Sequence, residues 1–317
     1  MFRELAGLPQ YIEMLELESD PSEWLNCRTR NPENFEATLI IAPECHGILV
    51  QLLRQLQTDP WRKICNINLD WQLAEIFSDK LLTFQWLKQH ELATPATIAI
   101  SREKHDALLS ARNCQHFILD GETLPQSSGL GVLKPRDGVG CEGISFIQLQ
   151  GEEFSTTEIT DDGDRKWLLQ SYVPGRACSV GLIGSRGFGP TTILPPAIQT
   201  LRLRNGSPVY CGGQIPSDSE LQDAIMPLAE KLASALGEFS GYLGVDVVVE
   251  QSSNSKLKAT VIEVNPRLCT SYVGYRQATS CNLAALMLSG HSETALGWHS
   301  QTIEFEANGQ ILSSPEF

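Results

Sequence analysis

The sequence predicts an α/β (α+β) fold in which strands and helices are interspersed along the chain. Short β-branched runs bounded by glycine and proline alternate with longer amphipathic stretches of helical period. A glycine-rich loop at 138–143 joins two of the strand-like runs. Two further runs, within 244–264, are predicted to pair as a hairpin that carries carboxylates. These three observations together predict the mixed fold.

The first elements are one strand and three helices. Thr38–Pro43 is predicted to be a strand that ends at proline, followed by a helix over Gly47–Gln57. Asp70–Ile76 suits a short helix and Asp79–Glu91 a longer amphipathic one. Asp79 lies at the start of the last helix, where its carboxylate suits an N-cap.

A strand–loop–strand unit follows a strand at Thr97–Ile100. The first strand of this unit ends in Lys134, and residues 138–143 match G-x-G-x-x-G. A dinucleotide-binding loop leads into a helix, whereas this loop leads into Ile144–Leu149, a β-branched and aromatic run typical of a strand. The chain contains no kinase His-Arg-Asp or Asp-Phe-Gly motif and no P-loop motif. The remaining alternatives are a hairpin flap over phosphates and a tight turn without a ligand.

The chemistry of this flap favours phosphate. Glycine has no Cβ, so the backbone N–H groups of the loop can approach phosphate oxygens closely. Lys134, immediately before the loop, supplies a positive charge. A lysine at the end of a surface strand is the other interpretation of Lys134.

The later part of the chain is predicted to hold a strand at Ser179–Gly184, a strand end and turn at Val209–Gly213, and a helix over Ser219–Leu236. A closing helix is predicted over Cys281–Gly290, and Gln301–Phe317 is either a loose tail or a final strand.

The predicted hairpin pairs Gly244–Glu250 with Lys256–Val264. Residues two apart in a strand share a face, so Glu263 and Asn265 lie side by side, and Asp246 reaches the same face from the neighbouring strand. Carboxylates on an apolar strand pair are costly without a compensating cation, and magnesium prefers a few oxygen ligands together with substrate phosphates. Solvent exposure of Asp246 and Glu250 on an edge strand is the alternative. Arg267, just beyond the strand, could hold a phosphate or a carboxylate bidentately.

Composition excludes several classes of protein. The net charge is −14, which disfavours nucleic acid as a partner. No apolar run approaches the roughly 20 residues that span a bilayer, so no membrane association is expected. Nine cysteines without a Cys-x-x-Cys motif are typical of reduced, buried thiols in a cytoplasmic protein. A homodimer is one assembly that the sequence allows.

These motifs, in this order, resemble the ATP-grasp superfamily, whose members join a carboxylate to an amine through an acyl phosphate. The resemblance extends from about Ile40 to about Leu288. Ser78–Thr83 is similar to the segment with the family's early phosphate-contacting lysine, and Gln170–Gly175 is similar to the hinge strand that meets adenine. The resemblance implies an ATP-grasp fold with three domains around a nucleotide cleft. These are an N-terminal α/β domain at 1–92, a lid domain with the flap at 93–172, and a C-terminal domain with the metal site at 173–317. The N-terminal domain is expected to be shortened, because the part before Ala37 is short and polar.

The resemblance also implies roles for individual residues. The implied ATP-binding residues are Lys80, Lys134, Asp137, Gly138, Gly140, Gly143, Gln170, Tyr172 and Val173. The implied magnesium ligands are Asp246, Glu263 and Asn265, manganese being an alternative ion, and the implied catalytic residues are Lys134 and Arg267. Tyr272 and Arg276 lie either in the acceptor pocket or, for Tyr272, in the core.

A narrower resemblance is to the branch that contains tyramine–glutamate ligase, which acts in methanofuran biosynthesis for one-carbon metabolism. Ile41–Glu44, Leu133–Gly138, Val173–Val180 and Asn265–Gly274 carry it. It implies an ADP-forming ligase of small-molecule carboxylate and amine substrates. The alternatives are an ATP-grasp ligase of other amino acids or peptides and a non-catalytic ATP-binding module.

Overall fold

The computed structural model describes residues 37–59, 61–110, 130–148, 166–204, 207–251, 256–291 and 294–313. The predictions for 1–36, Leu149, the hairpin turn at 252–255 and the last four residues lie outside these ranges, as do Cys27 and Cys114. The described helices are α1 (Ile48–Gln55), α2 (Trp71–Ser78), α3 (Lys80–Gln89), α4 (Arg102–Ser110), α5 (Ser219–Leu236), α6 (Ser271–Ala278) and α7 (Leu283–Ser289), with single 3-10 turns at Cys45–Gly47 and Trp61–Lys63.

The described strands are β1 (Ala37–Thr38), β2 (Cys65–Asn66), β3 (Thr97–Ile100), β4 (Leu130–Pro135), β5 (Ser145–Gln148), β6 (Trp167–Ser171), β7 (Arg176–Ser185), β8 (Thr192–Ile193), β9 (Ala197–Arg204), β10 (Ser207–Ile215), β11 (Ser240–Gln251), β12 (Leu257–Asn265), β13 (Ile303–Glu306) and β14 (Ile311–Ser313). Within the described residues they form a parallel pair β1–β2, a four-stranded sheet and an eight-stranded sheet.

The N-terminal part is less regular than predicted. The strand expected over Thr38–Pro43 pairs with β2 only at Ala37 and Thr38. Beyond that point the side chain of Asn68 replaces the ladder, because its Oδ1 accepts from Ile40 N at 2.8 Å and its Nδ2 donates to Ile40 O at 2.8 Å. The helices α1, α2 and α3 follow, and the cap of α3 is as predicted: Asp79 accepts from Leu81 N and Leu82 N.

The four-stranded sheet has the order β3-β6-β4-β5 and is antiparallel throughout. The hairpin β4–β5 carries the glycine-rich loop at its tip, which confirms the predicted strand–loop–strand unit. Buried Leu133, Ile147 and Leu169 pack on one face with the apolar side of α4. The sequence predicts a helix between the strand at Thr97–Ile100 and the strand–loop–strand unit, without bounds, and α4 takes that place.

The eight-stranded sheet has the order β12-β11-β7-β9-β10-β13-β14, with β8 attached to β7. The predicted carboxylate hairpin is present as β11–β12, in a register that places Asp246 opposite Glu263 and Gly244 opposite Asn265. The register shifts between Asp246 and Val247, so a bulge lies directly beside the two carboxylates. Bulges redirect side chains, and they are common next to functional sites.

Helices cover both faces of this sheet. On one face α5 and the N-terminal helices bury a large core that includes Leu52, Ile225 and Val261. On the other face Tyr275 of α6, the apolar residues of α7 and Phe305 of β13 belong to a second core. The predicted helix Ser219–Leu236 is present with these bounds, and the predicted C-terminal tail forms β13 and β14. None of the described helices is both long enough and apolar enough to span a membrane.

Candidate active site

A cleft of about 260 Å³ lies between the two larger sheets. Lys134, Gln170 and Tyr172 line it from the four-stranded sheet, and Asp246 and Glu263 line it from the eight-stranded sheet. Residues that are more than a hundred positions apart therefore meet in one cavity.

The residues predicted to bind magnesium lie next to one another on the hairpin β11–β12. Asn265 Nδ2 donates to Asp246 Oδ2 at 3.0 Å, and Glu263 is the residue opposite Asp246 in the ladder. Burial and the negative charge of Glu263 together raise the pKa of Asp246 to about 6, although hydrogen bonds from the amides of Asn265 and Gln199 act in the opposite direction. Two carboxylates that repel each other in a buried site favour a cation between them.

The oxygen atoms of these residues can supply part of the coordination of a magnesium ion but not all of it. No group of three or more His, Cys, Asp or Glu side chains suitable for a metal ion is found in the described ranges. Two carboxylates and an amide provide hard oxygen ligands only, and magnesium commonly takes one or two carboxylates together with phosphate oxygens. The arrangement therefore suits a magnesium ion that is completed by a bound polyphosphate.

Two buried lysines lie near the carboxylates. Lys80 Nζ is 3.0 Å from Glu263 Oε1 and donates to Gly138 O at 2.5 Å. Burial lowers the pKa of Lys80, but the charge and hydrogen bond of Glu263 outweigh it, so the pKa is raised overall. Lys134 is 3% exposed, and burial lowers its pKa to about 8 although Glu263 and Asp246 act in the opposite direction. Within the described part of the chain Lys134 Nζ makes no hydrogen bond or ion pair, which leaves its charge available for a bound anion.

Only some residues of the glycine-rich loop line the cleft. Gly140 lines the cleft with φ at +63°, a conformation that L side chains rarely adopt. Gly138 contributes its carbonyl to Lys80, and Gly143 lies against the ring of Pro135. Asp137 is exposed and accepts a hydrogen bond from His46 N at 2.8 Å. In this conformation Asp137, Gly138 and Gly143 border the cleft without lining it.

The predicted adenine side is more apolar. The ring of Tyr172 meets that of Phe146 edge-on, with 5.3 Å between centroids, and Val173 follows along the wall. Gln170 Nε2 donates to Thr97 Oγ1 at 2.9 Å, which fixes the amide in its buried position. Burial raises the pKa of Tyr172 to about 12, so this hydroxyl stays neutral. A flat ring with polar edges fits such a wall.

Arg267 lines the cleft but is already paired. Its Nε and Nη2 both donate to the carboxylate of Glu44, the Nη2 bond being 3.0 Å long, and its Nη1 donates to Leu268 O at 3.2 Å. Burial lowers the pKa of Arg267, but the hydrogen bonds and charge of Glu44 outweigh it, so the arginine stays charged.

Sequence reasoning assigned no role to two residues of this region, Glu44 and Gln199. Gln199 Nε2 donates to Asp246 Oδ1 at 2.8 Å from the neighbouring part of the sheet. Its alternation with apolar residues on β9 was a weak signal, because polar residues of that spacing also face solvent.

Tyr272 lies in the core, 3% exposed, with its ring edge-on to Tyr242, and Arg276 is not among the residues that line the cleft.

The two cysteines near the site are not activated. Burial raises the pKa of Cys141 to about 11, and burial also raises the pKa of Cys269 well above its usual value. A thiol is a nucleophile only as the thiolate. Neither thiol is therefore suited to act as a nucleophile. The expectation of buried thiols is wrong for most of the described cysteines, since only Cys178 and Cys281 are buried.

Comparison with known proteins identifies related sequences. The domain family described as ATP-grasp domain matches residues 77–271. A tyramine–L-glutamate ligase of Methanocaldococcus fervens is 24% identical over 299 residues, which cover 94% of this chain and 80% of the relative. The tyramine–L-glutamate ligase of Methanocaldococcus jannaschii is 23% identical over 264 residues, 83% of this chain and 65% of the relative.

Solved structures share the fold. N5-carboxyaminoimidazole synthetase from Staphylococcus aureus, complexed with ADP, superposes with a TM-score of 0.58 at 14% identity, over 89% of this chain and 66% of that one. Biotin carboxylase from Campylobacter jejuni, in a complex with an ATP analogue, gives a TM-score of 0.56 at 15% identity, over 82% and 56%. At these identities the likeness concerns the fold only.

Proposed function

Because this chain belongs to the ATP-grasp family, we propose that it is an ATP- and magnesium-dependent ligase that joins a carboxylate to an amine and releases ADP and phosphate. The observation that carries the proposal is the cleft itself. An unpaired buried cation, Lys134, and a pair of half-buried carboxylates, Asp246 and Glu263, face the same cavity from two different sheets. Such opposed charges suit a metal–triphosphate complex, in which both signs are present.

In the proposed mechanism the protein positions groups and neutralises charge. Lys134 and the backbone of Gly140 hold the phosphates, while the wall at Gln170 and Tyr172 holds adenine. A magnesium ion held by Asp246, Glu263 and Asn265 would neutralise phosphate charge. The γ-phosphoryl group passes to the substrate carboxylate, the amine attacks the resulting acyl phosphate, and phosphate leaves. Such chemistry needs orientation more than a protein nucleophile, consistent with the neutral cysteines.

The proposed substrates are glutamate and tyramine or a related amine, in methanofuran-type cofactor biosynthesis. The support is the name of the two relatives, which align over most of this chain. We also propose a cytoplasmic location, because the described cysteines are all free thiols, as expected in a reducing compartment.

The direct test is ADP formation by the purified protein with ATP, magnesium, glutamate and a panel of amines, with the product identified by mass spectrometry. We expect ADP and an amide only when acid and amine are both present. Lys134→Ala and Glu263→Ala should each lower the rate by roughly 10² or more, since each removes a charge from the phosphate site. Lys104→Ala, which alters an exposed lysine on α4, is the matched control and should leave the rate unchanged.

Three outcomes would contradict parts of the proposal. Full activity in both charge variants would remove the site assignment. Turnover with other amino acids but not with glutamate would remove the substrate assignment and keep the ligase. Tight ATP binding without turnover under any substrate mixture would indicate a non-catalytic binding module.

A further inference from the structure

The pairing of Arg267 connects the active-site cleft to a distant part of the chain. Its partner Glu44 precedes α1 and lies 223 positions away in sequence. Glu44 is 3% exposed, and both of its carboxylate oxygens are bonded to the guanidinium group. A bidentate pair of this kind defines the plane of the guanidinium group as well as its position.

The orientation of this pair leaves one side of Arg267 available. Glu44 occupies Nε and one hydrogen of Nη2, and Leu268 O occupies one hydrogen of Nη1. Each terminal nitrogen carries a second hydrogen. Arg267 lines the cleft and Glu44 does not, so the hydrogen bonds of Glu44 reach the cleft through Arg267, while its negative charge also helps to raise the pKa of Lys80.

The segment around Glu44 also contacts the base of the flap. His46 N donates to Asp137 Oδ2 at 2.8 Å, and Asp137 immediately precedes the first glycine of the loop. On its other side Glu44 faces a separate cavity of about 530 Å³, which Glu75 also lines. The short 3-10 turn at Cys45–Gly47 therefore joins the arginine wall of the cleft to the glycine-rich loop.

We propose that Glu44 is a positioning residue: it holds the guanidinium group of Arg267 in the orientation in which its free N–H groups donate to the oxygens of the phosphoryl group while that group passes to the substrate carboxylate. This inference rests on the proposed function. A carboxylate in this place orients the arginine before substrate arrives, so the donors need no rearrangement as charge develops on the phosphoryl oxygens.

The first test compares Glu44→Gln with Glu75→Gln by steady-state kinetics. Glu75 pairs with Arg54 at the surface and lines the same neighbouring cavity as Glu44, so it is a matched control. Glu44→Gln should lower kcat at least about tenfold, since losing a donor to developing charge outright costs roughly 10²–10³ in rate. The KM for ATP should change less than about twofold, because only transition-state contacts are lost. Glu44→Asp should recover part of the rate.

A second measurement does not need turnover. ADP with aluminium fluoride imitates the transferring phosphoryl group and requires no amine. Glu44→Gln should weaken binding of ADP–aluminium fluoride about tenfold while binding of ADP alone changes less than about twofold. If the protein shows this selective loss of binding but forms no product with any substrate mixture, the proposed ligase function is wrong and the positioning role of Glu44 is supported.

The doubly substituted variant Glu44→Arg/Arg267→Glu separates positioning from folding. It restores an ion pair but places a carboxylate on the cleft wall, so stability should recover and ADP–aluminium fluoride binding should not. Recovery of both would show that the pair is merely structural. Unchanged kcat and unchanged ADP–aluminium fluoride binding in folded Glu44→Gln would overturn the inference directly.

Discussion

Lys134 shows how one residue can be unfavourable for folding and necessary for binding. Its side chain is almost completely buried, and its pKa falls to about 8 because burial disfavours the charged form. The nearby carboxylates offset this only in part. A bound triphosphate would supply the missing negative charge, so the cost of burying Lys134 is expected in the ligand-free protein alone.

Replacing Lys134 by methionine should therefore stabilise the ligand-free protein. The pKa of the lysine is lower in the folded protein than in the unfolded chain. At pH 7 the side chain is protonated in both states, but the folded protein binds this proton less strongly, which lowers the free energy of unfolding. A pKa near 8 against 10.5 corresponds to a gain of about 3 kcal/mol in the free energy of unfolding on removing the charge. Chemical denaturation of Lys134→Met and wild type measures this gain, and ATP binding by the variant should be at least about tenfold weaker.

The pH dependence of the free energy of unfolding provides a second test of the cost of burying Lys134. Between about pH 8 and 10.5 the unfolded chain binds more protons at this position than the folded protein does, so this lysine makes stability increase with pH. The increase should disappear in Lys134→Met and persist in Lys104→Met, which alters an exposed lysine. An unchanged pH profile in Lys134→Met would contradict the burial argument.

At the level of elements, a bulge in β10 shapes one wall of the cleft. The pairing of β10 with β9 shifts register between Tyr210 and Gly212, and Tyr210 lines the cleft. Gly212 has φ at +130°, and a Cβ placed there would lie 2.0 Å from Phe305 O on β13. Only glycine satisfies both the backbone conformation and the close approach of the adjacent strand.

Gly212→Ala should therefore separate β10 from β13. We expect a loss of about 2–4 kcal/mol in the free energy of unfolding, because the new methyl group meets backbone that cannot rotate away. Urea denaturation measures it. Gly297→Ala, where a Cβ meets nothing within 4 Å, is the control and should change stability by less than about 0.5 kcal/mol. Equal stability of the two variants would show that β13 can move aside.

For the whole molecule, the cleft lies between the four-stranded and the eight-stranded sheet, and several polar contacts around it join distant segments of the described chain. Lys80 bonds to both the flap and Glu263, Val261 N donates to Ala93 O, and Glu44 pairs with Arg267. A ligand that contacts both sheets adds to these links and stabilises the folded protein by mass action.

Magnesium with ATP at a hundred times its dissociation constant should thus raise the free energy of unfolding by about 2.7 kcal/mol. For a chain of this size the melting temperature should rise by roughly 4 °C, measurable by differential scanning fluorimetry. Addition of EDTA or the substitution Glu263→Gln should remove most of the rise. An undiminished rise in Glu263→Gln would place the nucleotide elsewhere.

Local patterns in the chain were sufficient for several features. The strand–loop–strand unit, the carboxylate hairpin, the cap at Asp79 and the helix Ser219–Leu236 depend on neighbouring residues, whose periodicity and turn chemistry appear directly in the sequence. The same patterns, through resemblance, identified the ATP-grasp family. The domain boundaries and the roles of individual site residues stay predictions.

Other features depend on contacts between distant residues, which no local pattern encodes. The pairing of Arg267 with Glu44, the amide of Gln199 on Asp246 and the burial of Tyr272 each require two segments to be folded against each other. The charge state of Lys134 likewise depends on how much protein surrounds it. Sequence periodicity indicates which face a side chain occupies, but burial and partners depend on the packing of whole sheets and helices, which sets the dielectric environment and the distances.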